Sequence, residues 1–168
     1  MRIDNIPRDI FTDILFRAKA INRESIDGRC PGRRTNYKNG DWVYGLITRP
    51  HHSEYDFPAE MTNTDGISGI EVDYKTIGQY TGLTDMNGTK IFESDILQVN
   101  YHGGEIGRVC IYYKFAMYLC STICGDIDFD TLGMLNANYQ LEVIGNVYDN
   151  PKLITVVEDN GDEEDVNA

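Results

Sequence analysis

The 168-residue sequence predicts a mainly β fold, β-rich α+β at most, made of two small β parts packed together. Three observations predict it. Strand-length runs rich in β-branched and aromatic residues recur along the chain. Turn dipeptides separate them: Asn39-Gly40, Asn87-Gly88 and Gly103-Gly104. Aromatic residues reach 11%, which supplies enough apolar surface to exclude disorder as a description of the whole chain. A chain of this length buries about 70% of its unfolded surface and needs neither disulfide nor metal to fold.

The N-terminal segment is open to two readings. Ile10, Phe11, Ile14, Leu15 and Ala18 fit a helical stripe with Pro7 in its first turn, whereas Ile14, Phe16 and Ala18 opposite Leu15, Arg17 and Lys19 fit a strand. DWVYGLIT, residues 41–48, is β-branched and aromatic and follows Asn39-Gly40. In 67–74, Ile70, Val72 and Tyr74 alternate with Glu71 and Asp73. Asn87-Gly88 joins QYTGLTDM to TKIFESDI. DILQVNY, IGRVCIYY and FAMYLCST follow at strand-like lengths, and YQLEVIGNVYD alternates until Pro151 stops it. The expected organisation is an N-terminal β-rich part over 1–75, with a divide near 60–75, and a C-terminal part over 76–157 resembling an SH3-like or open small barrel. Residues 158–168 carry six acids and no base, so a disordered acidic tail is expected.

Net charge is −12, unevenly spread. Residues 1–40 hold nine Lys/Arg against five Asp/Glu; the rest hold six against twenty-two. The acidic bulk argues against general attraction to phosphate backbones. No stretch approaches the roughly 20 apolar residues of a membrane span, and MRIDNIPRDIF lacks a signal-peptide apolar region, so a cytoplasmic protein is expected. Cys30, Cys110, Cys120 and Cys124 form no CxxC and are expected to be reduced and unligated. P-loop, GxGxxG and GxSxG motifs are absent. His51-His52 lacks HExxH spacing and lies in a loop between Pro50 and Pro58. Asp126, Asp128 and Asp130 alternate, but Thr131 and Ala137 stand where a calcium loop needs Gly and Glu.

Two longer segments carry a family pattern. IGQYTGLTDMNGTKIFESDIL, residues 77–97, and LEVIGNVYDNPKLI, residues 141–154, resemble the signature and ending of the YopX family of bacteriophage and prophage proteins. LFRAKA at 15–20 and NGDWVYGLI at 39–47 are similar to that family's opening. Ser94 departs from the family's usual Gly, and the basic stretch 21–38 contains what looks like an insertion. The resemblance implies a mostly β protein, hence a strand at about 13–19, and no particular activity.

The structural signature comprises Tyr80, Gly82, Asp85, Asn87, Gly88, Glu93, Asp95, Gly145, Asn146, Asn150 and Pro151. Gly82 and Gly88 suit positive φ, Asn87-Gly88 suits a type I′ turn, and Asp85 suits a carboxylate accepting loop amides. Glu93 and Asp95 share a face if the chain between them is extended. A competing reading makes Asp85, Glu93 and Asp95 a carboxylate cluster for a divalent metal. The structural reading is preferred, with no catalytic residue, metal or cofactor expected. Arg29, Arg33, Arg34 and Lys38 cluster beside Tyr37, a candidate binding segment. The expected function is that of a non-catalytic phage or prophage accessory protein that binds another protein and self-associates. A nucleic-acid-binding module using residues 29–38 is the alternative, and a metal-dependent enzyme the third.

Overall fold

The computed structural model describes residues 14–21, 36–51, 58–125, 127 and 130–155. The acidic tail, the arginines of the basic stretch and the apolar residues 10 and 11 lie outside them.

Among the described residues, ten strands form two antiparallel sheets. The first contains β1 (Phe16–Lys19), β2 (Trp42–Arg49), β3 (Ala59–Asn63), β4 (Ile70–Val72), β5 (Gly78–Thr84) and β6 (Lys90–Phe92), in the order β4-β3-β2-β1-β5-β6. The second contains β7 (Asp95–Tyr101), β8 (Gly104–Lys114), β9 (Met117–Gly125) and β10 (Gln140–Asn146), in the order β10-β7-β8-β9. A single helix among the described residues, α1 (Leu132–Asn138), precedes β10.

The N-terminal segment resolves as strand. Phe16 to Lys19 pair with Gly45 to Trp42, and Phe16 and Arg17 also pair with Gln79 and Gly78 on the other side. Pairing on both edges, together with burial of Arg17 and Ala18 on opposite faces, outweighs local helical periodicity. β3 and α1 were not expected. β3 has only one large buried apolar residue, Met61, between Glu60 and Thr62, so its alternation is faint. In α1, Thr131 caps the first turn and Leu132 and Leu135 are buried, but seven residues are too few for a periodic signal.

Each sheet carries its own core. Ala18, Ala20, Val43, Ala59, Met61, Ile70 and Val72 fill the first. Small residues let the strands approach: a Cβ on Gly45 would lie 1.9 Å from the Thr62 carbonyl oxygen. Leu97, Val99, Val109, Ile111, Leu132, Leu135 and Leu141 fill the second, joined by Ile91 from β6. A first-sheet strand therefore supplies apolar surface to the second core.

The second sheet stays open and does not close into a barrel, in keeping with the open form among the expectations for the C-terminal part. Its two edges are occupied before they can meet. On β10, the Met86 amide donates to the Leu141 carbonyl (2.9 Å) and the Val143 amide to Asp85 Oδ2 (3.0 Å). On β9, the Cys120 amide donates to the Asp130 carbonyl at 2.7 Å, and Leu119 bridges Thr131. The free side of β4 is likewise met by the end of β1, where the Ile21 amide donates to the Glu71 carbonyl (2.8 Å). Such capping blocks edge-to-edge pairing with other chains. The chain crosses from the first sheet to the second at Glu93-Ser94, and β5 pairs with β1 in the first.

Candidate functional site

The signature residues meet at the seam between the sheets. Arg17 pairs with Tyr44 across β1 and β2, so the two share the sheet face opposite Ala18. Asp95, the first residue of β7, approaches from the second sheet. Its Oδ1 lies 2.5 Å from Arg17 Nη2, and its Oδ2 accepts from the Phe92 amide at 2.8 Å. Arg17 Nη2 also donates to the Glu93 carbonyl at 3.0 Å. The guanidinium lies 4.8 Å from the Trp42 ring centre and 4.9 Å from that of Phe92. Arg17 is 6% and Asp95 1% exposed, so this is a buried ion pair between two aromatic rings. Burial pushes the Asp95 carboxyl above its ordinary value, against the opposing pull of Arg17 and the Phe92 amide.

A second clasp lies beside it. Asp149 accepts from Trp42 Nε1 at 2.7 Å and pairs with Lys19. Burial opposes its charge, but the bonds from Lys19, Asn146 and Trp42 win and hold its carboxyl down at about 2. Asn146 orders the loop that presents Asp149: its Oδ1 accepts from the amides of Tyr148 and Asp149, both at 3.0 Å. Asn150 Oδ1 accepts from the Asn146 amide, and a Cβ on Gly145 would lie 2.4 Å from that oxygen, so a larger residue there would displace the Asn150 side chain. Pro151 opens the short 3-10 turn that follows.

Asp85 clasps the sheets from the other side. Its Oδ1 accepts from the Asn87 and Thr89 amides, each at 2.8 Å, while its Oδ2 takes Val143 of β10. Burial resists the charge, yet these amides outweigh it and keep the carboxyl below its ordinary value. The turn itself differs from expectation. The Gly88 amide donates to the Asp85 carbonyl at 3.0 Å, and Gly88 has φ 82°, but Asn87 is not at positive φ. A type I′ turn needs positive φ at both central residues, so this is a turn from Asp85 to Gly88 with glycine at its end.

The three carboxylates do not converge. Ser94 at φ 67° breaks the extended path that would put Glu93 and Asp95 on one face. Glu93 Oε2 instead accepts from the Gln79 amide (2.9 Å). Positive φ at Ser94 also gives the physical reason for glycine at that position in the resembling family. Among the described residues no group of three or more His, Cys, Asp or Glu side chains is placed to hold a metal. Tyr80 packs on Phe92, with ring centres 5.6 Å apart, and Gly82 takes φ 84° within β5.

Of the basic cluster, Arg29, Arg33 and Arg34 lie outside the described residues. Tyr37 packs against the first core and its hydroxyl accepts from Asn63 Nδ2 at 3.0 Å, while the Lys38 amide donates to Asp41 Oδ2 at 2.7 Å. His51 stacks on Tyr74, with ring centres 4.0 Å apart. Cys110, Cys120 and Cys124 are free thiols, and burial pushes Cys120 up to about 12. Among the described residues no helix is long and apolar enough to cross a membrane.

Sequence reasoning missed one exposed feature, the tip of the β8–β9 hairpin. Lys114 pairs with Met117, leaving a two-residue turn of Phe115 (φ 55°) and Ala116 (φ 60°). Phe115 is 75% exposed, and Tyr112, Tyr113 and Met117 beside it are exposed too. The turn contains no Gly or Asn, so nothing in its composition announces it. Arg17, Trp42 and Asp149 were also missed as a group, although each lies in or beside a segment carrying the family pattern.

No curated protein matches the chain. Among solved structures, the crystal structure of protein EF1440 from Enterococcus faecalis is similar at a TM-score of 0.41 and 25% identity, over 69% of this chain and 91% of that one. The family model described as YopX protein matches residues 16–155, which includes both sheets and every residue of the three clasps. The chain belongs to the YopX family.

Proposed function

We propose that the protein is a non-catalytic phage- or prophage-encoded accessory protein that acts by binding another protein through the β8–β9 hairpin tip. The observation that supports this reading is Phe115. A bulky residue at positive φ costs on the order of 1–3 kcal/mol. At 75% exposure its ring recovers little of that by burial. Asn-Gly would make the same turn without strain, so the ring is retained at a cost to the fold, as expected of a residue used outside it. Tyr, Phe and Met are the side chains enriched in the cores of protein interfaces. The signature carboxylates, by contrast, are engaged in holding the sheets together.

The test replaces Phe115 with Asn, which tolerates positive φ and lacks the ring. Pull-down from the bacterial host with wild type and Phe115→Asn should give a protein partner that the variant loses, while the variant melts no lower than wild type. A partner kept by the variant would move the contact elsewhere. Light scattering addresses self-association, since a mass constant near 19.1 kDa would remove the homo-oligomer. The nucleic-acid alternative predicts a mobility shift that weakens steeply between two salt concentrations.

A further inference from the structure

We propose that Asn87 is a modification site: it deamidates spontaneously to aspartate and isoaspartate, and the change loosens the Asp85 clasp on β10. This goes beyond the protein-binding reading and uses a different part of the molecule. Asn87 and Gly88 are both exposed, at the end of the turn that starts at Asp85. A Cβ on Gly88 would meet nothing within 4 Å, so no neighbour crowds the residue whose nitrogen must react.

The chemistry needs only water. The Gly88 amide gives up its proton, and its nitrogen attacks Asn87 Cγ. The Cγ–Nδ2 bond breaks, ammonia leaves with a proton taken from solvent, and a cyclic imide joins the two residues. Water then opens the imide. Attack at Cγ gives aspartate, whereas attack at the Asn87 main-chain carbonyl carbon gives isoaspartate, with one extra carbon in the backbone. The net step consumes one water, releases one ammonia and changes no oxidation state.

Hydrogen bonding sets which Asn-Gly pair reacts. The Gly88 amide donates to the Asp85 carbonyl at 3.0 Å, a bond within its own turn, so local opening of an exposed loop frees it. Asn39-Gly40 differs. There the Gly40 amide donates to the Ala20 carbonyl at 2.9 Å, which ties the entry to β2 to the end of β1, so freeing it means parting two strands. The brake on Asn87 is Asp85, whose Oδ1 accepts from the Asn87 and Thr89 amides on either side of Gly88, each at 2.8 Å.

The product disturbs β10. Asn87 Nδ2 lies 3.4 Å from Glu142 Oε1, and deamidation replaces that donor with a carboxylate, so a weak attraction becomes a repulsion. Isoaspartate also lengthens the backbone between Asn87 and Thr89, which draws the Gly88 and Thr89 amides off Asp85. The carboxylate then loses donors that aim it at the Val143 amide of β10, 3.0 Å away.

The full-length protein is aged at mildly alkaline pH, native and in urea, and peptide mapping reads aspartate and isoaspartate at Asn87 and Asn39. Asn160, the third asparagine before a glycine, is replaced by Gln so that a charge change reports on these two alone. Native protein is expected to convert several-fold faster at Asn87 than at Asn39, and faster as pH rises, whereas in urea the two should convert at similar rates. Asp85→Ala should speed native conversion at Asn87 about tenfold, the scale expected when an opening step no longer breaks hydrogen bonds to a carboxylate. The converted fraction, separated by charge, should melt below the unmodified protein, and Asn87→Asp should show part of that loss. Asn87 intact in native protein while it converts in urea, or native Asn39 converting as fast as Asn87, would overturn the assignment. A converted fraction that melts like the unmodified protein would overturn the loosening of the clasp.

Discussion

At the scale of single residues, the signature acids are spent on internal bonds. Asp95 shows the consequence most sharply, because burial already makes its charge costly and removing Arg17 would leave that charge without a partner. Breaking a buried ion pair from one side costs roughly 3–5 kcal/mol. Arg17→Met should lose stability on that scale in urea unfolding. The double variant Arg17→Met, Asp95→Asn should recover much of it, since the orphan charge is gone. A single variant within about 1 kcal/mol of wild type would mean that the pair is not what fixes the seam. The sequence made Asp95 conspicuous but not Arg17. A lone arginine in a β run normally reads as a solvent-facing residue, and only the chain arriving at Glu93, 76 residues away, with Asp95 just beyond it, buries it.

At the scale of elements, turns rich in glycine were legible and the others were not. Asn39-Gly40, Asn87-Gly88 and Gly103-Gly104 all bend the chain, with φ between 82° and 89° at Gly40, Gly88 and Gly103. Phe115-Ala116 bends it as tightly without either cue. β3 and α1 went unread because their burial depends on partners distant in sequence, not on their own periodicity. The Asp85–Gly88 turn was placed correctly and typed wrongly, since its conformation is set by the Asp85 carboxylate bonding Asn87 and Thr89 and not by the Asn-Gly pair alone. Gly88 nonetheless remains the sensitive position. A Cβ there meets nothing within 4 Å, so any penalty comes from φ and not from crowding. Gly88→Val should therefore cost on the order of 1–3 kcal/mol, and Gly88→Asn distinctly less. Equal unfolding midpoints for the two variants would show that backbone strain at Gly88 is not the cause.

At the scale of the whole molecule, the two sheets are held together by charged clasps as well as by Ile91 in the second core, so their association should depend on pH. Asp149 and Asp85 both have folded carboxyls below the ordinary 3.8. A lowered folded value means that the stabilisation is present above the unfolded value and is lost as pH falls through the folded one. For Asp149 that window runs from about 4 down to about 2. Asp95 acts in the opposite sense: its raised carboxyl makes its ionisation in the folded state a cost as pH rises through the folded value. The three do not cancel at one pH, because the losses at Asp149 and Asp85 fall on the acid side of the ordinary value and the cost at Asp95 on the alkaline side. Wild type should thus lose stability as pH drops from about 4 toward 2, and Asp149→Asn, which cannot ionise there, should lose less over that interval. Denaturant unfolding at several pH values across the interval measures the difference directly. Parallel curves for the two proteins would mean that the bonds from Lys19 and Trp42 to Asp149 do not stabilise its charged form.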